Sequence, residues 1–153
     1  MMKTLLSKIE TLINDYIKNN GVTLGHEVNE IQLTENFKLS EFNCKCNGRT
    51  AADCGNAVKV HPELIRRLQK IRDEAGAPVN ISSAFRCPNH NKRVGGSENS
   101  YHMRGMAADF TIKGKSIAYT RQLAEKYFPD GGVGYYSTFT HVDVRGVKTR
   151  WNG

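Results

Sequence analysis

Only one stretch of this sequence dictates its own conformation locally, and it lies near the middle of the chain. His61-Pro62-Glu63 supplies a cap, a proline suited to the first helical position and an acid in the first turn; Leu64, Ile65, Leu68 and Ile71 then recur on one face until Gly76. The spacing predicts a helix over residues 62–75. Directly after it, Val79-Asn80-Ile81-Ser82-Ser83 alternates apolar and polar residues as a half-buried strand does, and residues 107–112 read as another strand. Ser116 can cap a second helix that runs to Phe128 and stops at Pro129, before Gly131-Gly132 leads into two short strands over residues 133–136 and 139–144. Helices and strands are mixed without regular alternation. The expected class is therefore α+β, a small single domain with a mainly antiparallel sheet flanked by helices.

At the amino-terminal end, Leu5, Leu6, Ile9, Leu12, Ile13 and Tyr16 recur at helical spacing up to Asn19-Asn20-Gly21. The expected division is a helix and lead-in over residues 1–36 and a main domain over residues 37–153, with Phe37, Leu39 and Phe42 anchoring the poorly periodic segment that follows. Lys8, Glu10 and Asp15 interrupt any apolar region long enough for a secretory signal. No apolar run approaches the roughly 18 residues of a membrane span. The expectation is a monomer made in the cytoplasm without a signal peptide and without a membrane span. At 153 residues the chain can enclose one real core. Its 22 basic against 15 acidic residues give a net charge of +7, which suits an anionic wall polymer or a nucleic acid and equally suits a solvated basic surface. No helix gathers Lys and Arg with aromatic residues, so no nucleic-acid partner is expected.

The four cysteines, Cys44, Cys46, Cys54 and Cys87, allow three disulfide connectivities or one four-thiolate metal site. Spacing does not choose between them. Cys44-Lys45-Cys46 is tighter than the usual zinc knuckle, and a chain made in a reducing cytosol meets disulfide chemistry late. A second, structural metal at these residues stands beside free thiols or a late disulfide.

The candidates for chemistry lie further on. Ser100-Tyr101-His102-Met103-Arg104-Gly105-Met106-Ala107-Ala108-Asp109 sets a histidine and a carboxylate on either side of a glycine turn. By itself that is also how a surface histidine and a strand carboxylate would read. Asp109, however, sits between Ala108 and Phe110 in a stretch fit for burial, and a buried carboxylate needs a cation or several donors to stay charged. In His141-Val142-Asp143, strand alternation places His141 and Asp143 on one face. His102, Asp109 and His141 would leave zinc a fourth position, as in a catalytic rather than a structural site.

These residues resemble a known family. Ser82-Ser83-Ala84-Phe85-Arg86, His90-Asn91, Val94-Gly95-Gly96, the run from Ser100 through His102 and Gly105 to Asp109, Gly132-Val133-Gly134-Tyr135-Tyr136 and His141-Val142-Asp143 together look like the zinc D-Ala-D-Ala carboxypeptidases of peptidase family M15. The chain is most similar to short phage and prophage forms, and the likeness runs from Phe37 to Trp151. It implies a zinc peptidase domain over residues 37–153, with His102, Asp109 and His141 as ligands of one catalytic Zn2+. It further implies Arg86 beside the reacting carbonyl and Ser100 lining the substrate channel. The Tyr135 and Tyr136 hydroxyls are further candidates for the groove, with Tyr135 the one taken as substrate-binding, although an aromatic pair on a strand could equally be packing.

The sequence departs from that pattern at the general base. Many relatives carry an acid three residues before the last ligand, where this chain has Thr138 followed by Phe139. Asp143 is the substitute candidate by alternation, with Glu98 behind it, although Asp143 could equally only orient His141. Arg145 and Arg150 are either wall contacts or solvated. The activity implied is zinc-dependent hydrolysis of peptide bonds in bacterial peptidoglycan, as a D,D-carboxypeptidase or a stem-peptide or cross-link endopeptidase, endolysin-like. Peptidoglycan peptides would be the partners, reached at the cell wall after lysis or within a phage-type particle. The rival is a non-catalytic zinc-containing binding module of the same fold, since the hedgehog signalling domain resembles it and acts by binding.

Overall fold

The computed structural model describes residues 31–153. The expected amino-terminal helix lies outside them. The predicted central helix forms as α1, Pro62–Ala75, with His61 Nδ1 accepting the Glu63 amide at 3.2 Å and Gly76 closing the other end. Its apolar stripe of Leu64, Ile65, Leu68, Ile71 and Ala75 is buried, as the 3.6-residue period requires. Strand β1, Val79–Ser83, follows, then a short helix α2, Pro88–Arg93, and a one-turn 3-10 helix, Tyr101–Arg104. The chain continues through β2, Ala107–Ile112, α3, Ile117–Tyr127, β3, Gly132–Tyr135, β4, Thr140–Asp143, and β5, Thr149–Asn152. Ser116 caps α3 as expected, accepting the Tyr119 amide at 3.2 Å.

The strands form one sheet in the order β1-β2-β4-β3-β5, antiparallel throughout except that β5 runs parallel to β3. The α+β class and the mainly antiparallel sheet are therefore as expected. Helix α2 and strand β5 are additions. The two strands expected at residues 133–136 and 139–144 sit at Gly132–Tyr135 and Thr140–Asp143. Helices α1 and α3 pack against each other and against the sheet. Between them lies the core, to which the strands contribute Val79, Ala108, Phe110, Ile112, Val133 and Val142, with Phe37, Leu39 and Phe42 buried at its edge.

Alternation sends the remaining strand positions to the opposite face. One transverse row then crosses all five strands: Ser83 pairs with Asp109, Asp109 with His141, His141 with Gly134, and Gly134 with Trp151. A bulge between Ile81 and Ser83 makes this row possible. Val79 and Ile81 pair with Ile112 and Phe110 in step with the core, and the extra residue then re-aims Ser83 towards Asp109.

Gly105 joins the turn bearing His102 to the strand bearing Asp109. Its φ is +69°, its carbonyl accepts the His61 amide at 2.8 Å, and a Cβ built there would lie 2.5 Å from the Lys59 carbonyl oxygen. Left-handed backbone and a clash with main chain act together. Gly105→Ala is expected to cost on the order of 2–4 kcal/mol of stability, read as a lowered urea midpoint with an unchanged slope. A midpoint equal to wild type would show that the turn has room to relax.

Candidate metal centre

The three suspected ligands converge although 39 residues separate the outer two. His102 comes from the 3-10 turn, where Ser100 caps the backbone by accepting the His102 amide at 3.3 Å. Asp109 and His141 face each other across the β2–β4 ladder. All three are buried, at 3%, 5% and 8% exposure, in the middle of a sheet where an uncompensated charge would be costly.

Each imidazole is committed on its outer side. His102 Nδ1 donates to the Ala84 carbonyl at 2.6 Å, and His141 Nε2 donates to Asp143 Oδ2 at 3.0 Å. These partners fix the tautomers, so His102 turns Nε2 inward and His141 turns Nδ1 inward, both as lone-pair acceptors. Asp109 gives Oδ2 to Arg86 Nη2 at 2.8 Å and turns Oδ1 to the same point. The inward atoms form a triangle with edges of 2.8 Å, 3.2 Å and 3.3 Å. Tetrahedral zinc with bonds of about 2.0–2.1 Å requires ligand atoms about 3.3 Å apart. Three acceptors facing one another at that spacing fit a cation.

The electrostatics favour the metal-ready form at two of the three ligands. At His141 burial opposes charge, but the Asp109 and Asp143 carboxylates beside it raise its pKa, so a cation there would have to displace a proton. Burial works against the charge on Asp109, yet the two imidazoles beside it hold its carboxyl well below the usual carboxylate range. Burial also lowers the pKa of His102, which favours the neutral imidazole that a metal needs.

The triangle forms the floor of a cleft of about 720 Å³ whose walls include Arg86, Ser100, Tyr101, Tyr136, Arg145 and Trp151. Arg86 and Ser100 are thus brought to the site. Tyr135 is not, because alternation along β3 points it to the helical layer, where its hydroxyl bonds Glu125 of α3. Its neighbour Tyr136 lines the cleft, with its hydroxyl accepting Trp151 Nε1 at 3.2 Å and its ring stacked on Phe139 at 4.4 Å. Parity is the signal that separates the two tyrosines: Tyr135 shares the face of the core residue Val133, and Tyr136, one residue on, lines the cleft.

Asp143 lies behind His141 and away from the cleft. It is fully buried, and it accepts from His141 Nε2, the Gly132 and Arg145 amides, and both Nε and Nη2 of Arg145 at 2.7 Å and 2.6 Å. Gly132 leaves room for it, since a Cβ there would strike the carboxylate. Arg145 stacks over Tyr101 and Trp151 at 4.6 Å and 5.1 Å, so it is neither solvated nor free. Arg150 is likewise tied to Glu125 and to the Gly131 and Phe128 carbonyls. Sequence reasoning also passed over Trp151, whose indole occupies the space that Gly134 leaves open and lies 5.1 Å from the His141 ring.

The sequence profile of the family described as Peptidase M15 matches residues 35–143. The protein named "Probable peptidoglycan L,D-endopeptidase MepK" of Haemophilus influenzae is 34% identical over 105 residues, 62% of this chain and 55% of that protein. The "Peptidoglycan L,D-endopeptidase MepK" of Escherichia coli K12 is 33% identical over 106 residues, 63% of this chain and 57% of its own length. The "Zinc D-Ala-D-Ala carboxypeptidase" of Streptomyces albus G is 30% identical over 122 residues, 76% of this chain and 48% of its own. The match spans about half the length of these curated relatives.

A metal triangle of this kind makes a direct prediction. His102→Ala removes one of three ligands, and bound zinc should fall by about one equivalent per chain in elemental analysis. Unchanged zinc in that variant would sink the assignment.

Proposed function

The chain belongs to the M15 peptidase family, and from that premise we propose that it is a zinc-dependent hydrolase of peptide bonds in bacterial peptidoglycan. The observation that carries this reading is the triangle of inward acceptors from His102, Asp109 and His141 at the floor of an open cleft. A zinc ion held there supplies Lewis acidity, activating water and polarising a carbonyl. The rest falls to the protein. Arg86 holds Asp109 Oδ2 and presents its guanidinium at the cleft, where it would bind the oxygen of the scissile carbonyl or a substrate carboxylate. Ser100 and Tyr136 line the groove along which the peptide would lie.

Asp143 belongs in this account as a positioning residue rather than the base. Its carboxylate meets His141 on the ring nitrogen opposite the triangle, and its remaining acceptor capacity is taken by Gly132 and Arg145. The proton acceptor we propose is Glu98, an exposed acid whose chain neighbours Ser97 and Asn99 both line the cleft. The reading extends to an endolysin-like role, with the wall reached on lysis or within a phage-type particle, and the charge of +7 suits an anionic wall.

Mass spectrometry of purified muropeptides after incubation, with and without a chelator, tests the activity. Shortened stem peptides that vanish with chelator are expected; loss of a terminal D-Ala identifies a carboxypeptidase, and cleavage within the stem or cross-link an endopeptidase. A protein that keeps its zinc and releases no product would be the binding module instead.

Two variants separate the carboxylates. Asp143→Asn should weaken zinc affinity by about ten- to a hundredfold, with much of the rate restored at saturating zinc. Glu98→Gln should keep its zinc and lose roughly a hundredfold or more in turnover that added zinc does not restore. Wild-type turnover in Glu98→Gln would assign the proton to a carboxylate of the substrate.

A further inference from the structure

Behind the metal centre, a second cluster has no part in the reaction described above. Cys44 and Cys46 follow the 3-10 turn Leu39–Phe42, Cys54 lies later in the same loop, and Cys87 caps α2. The four sulfurs all lie within 4.8 Å of one another, with 3.6 Å between Cys46 and Cys54. Cys44, Cys46 and Cys87 are buried, and all four thiols are free. We propose that these four sulfurs hold a second zinc ion in a closed tetrathiolate site that fixes the rear of the metal centre.

Spacing is the first argument. Zn–S bonds of about 2.3 Å place tetrahedral sulfurs about 3.8 Å apart, which matches a cluster in which every sulfur neighbours every other. Two disulfides would pull two pairs to about 2.05 Å and would require no such mutual approach.

The main chain supplies the second, independent argument. The Cys87 amide donates to Cys44 at 3.3 Å and the His90 amide to Cys87 at 3.4 Å. Cys46 Sγ lies 3.4 Å from Asn56 Oδ1, to which its thiol donates. Two of the four sulfurs thus accept a backbone N–H, and all four are gathered into one cluster. The loop bends to achieve it: Asn47-Gly48 after Cys46 and Gly55-Asn56 after Cys54 all adopt positive φ, from 58° to 64°. Asparagine is among the few non-glycine residues that enter this region readily. Four thiolates this close, three of them buried, would repel one another unless a cation lay between them, and binding zinc would release the thiol protons.

The position of the cluster gives it a purpose. Arg93 ties Asp53 and the Cys46 carbonyl to α2 at 2.7 Å and 3.2 Å, and Lys45 Nζ holds the Ile81 and Ser82 carbonyls at the β1 bulge at 2.9 Å and 3.0 Å. Between the bulge and Cys87 lie Ala84, whose carbonyl fixes His102, and Arg86, which holds Asp109. Crosslinking the loop to Cys87 therefore immobilises the segment from which two of the pocket's contacts arise.

The zinc content of His102→Ala, purified under reducing conditions, reads the cysteines alone. One equivalent is expected to remain, and cobalt in its place should give the near-ultraviolet charge-transfer band of thiolate ligation. In the unaltered protein, iodoacetamide should modify the four cysteines only after a chelator is added. Cys54→Ser, which changes the least buried of the four, should lose one of two equivalents and keep the pocket ion. A His102→Ala protein without zinc, or with the mass deficit of two disulfides, overturns the proposal even if Cys54→Ser fails to fold. None of these readings depends on turnover, so they stand or fall separately from the peptidase reading.

Discussion

A carboxylate in the middle of a sheet is the constraint to which most of this structure answers. Asp109 lies on β2, between β1 and β4, with Ala108 and Phe110 beside it in the core. Left alone there, its charge would cost several kcal/mol or more. Its compensation comes from both neighbouring strands: β4 delivers His141 directly opposite, while the bulge in β1 turns the chain so that Ser83 and then Arg86 meet it from the other side. His102 enters from above through a turn that only glycine at position 105 can close so tightly. With Asp109 fixed by Arg86 on one oxygen, the other oxygen and the two imidazoles are left facing a common point. The charge that is expensive to bury is also what makes the point attractive to a cation.

Strand alternation keeps folding and chemistry apart. On one face Val133, Val142, Phe110 and Ile112 join α1 and α3 in a core that has no role in the reaction. The other face carries Asp109, His141, Asp143 and Trp151, and it tolerates these bulky groups because the intervening strand β3 contributes only glycine there. Gly132 makes way for the Asp143 carboxylate and Gly134 for the Trp151 indole. The pattern Gly-Val-Gly-Tyr thus reads as apolar positions facing the helices and empty positions facing the site, a division that one side-chain methyl would upset.

How far the sequence could be read follows from which signals are local. Helix α1 carries its cap, its stripe and its stop within sixteen residues, and it forms where its spacing predicts. Strand β5 has no such signature: Thr149 and Trp151 face the site, Arg150 answers Glu125 and carbonyls on the helical side, and its parallel pairing with β3 is a tertiary fact. Helix α2 is a single short element whose cap is a cysteine, outside the usual set of capping residues. For the site, residue type and alternation nominated His102, Asp109 and His141 only weakly, and the ordered motifs of the family resemblance gave the set its weight; the structure gathers the three side chains. Residue type and alternation were not enough for Asp143, because alternation gives a face and not which ring nitrogen a neighbour meets. Tyr135 and Tyr136 differ by one residue of parity, and Val133 in the core decides between them by placing Tyr135 on its own face. The four cysteines were ambiguous because spacing along the chain says nothing of how closely the fold gathers their sulfurs.

The same geometry explains why the missing acid at Thr138 need not be replaced from within the sheet. Among the described residues Asp143 is the only other carboxylate in the transverse rows around His141, and Arg145 takes it bidentately while Gly132 and His141 take the remaining lone pairs. Burial opposes its charge, but His141 and Arg145 hold its carboxyl well below the usual range, which makes it a poor acceptor for a proton from water. What it can do is keep His141 in the tautomer that leaves Nδ1 open. Arg145, in turn, is held between Tyr101 and Trp151 at the cleft wall, so the Asp143–Arg145 pair couples the orientation of a ligand to the shape of the groove. Among the described residues lining that groove, Asp109 is the only acid, and Arg86 and the two imidazoles already engage it. Under the proposed peptidase reading a proton acceptor would arrive from the rim loop or with the substrate, which would make turnover sensitive to how a peptide seats itself and not only to the metal beneath it.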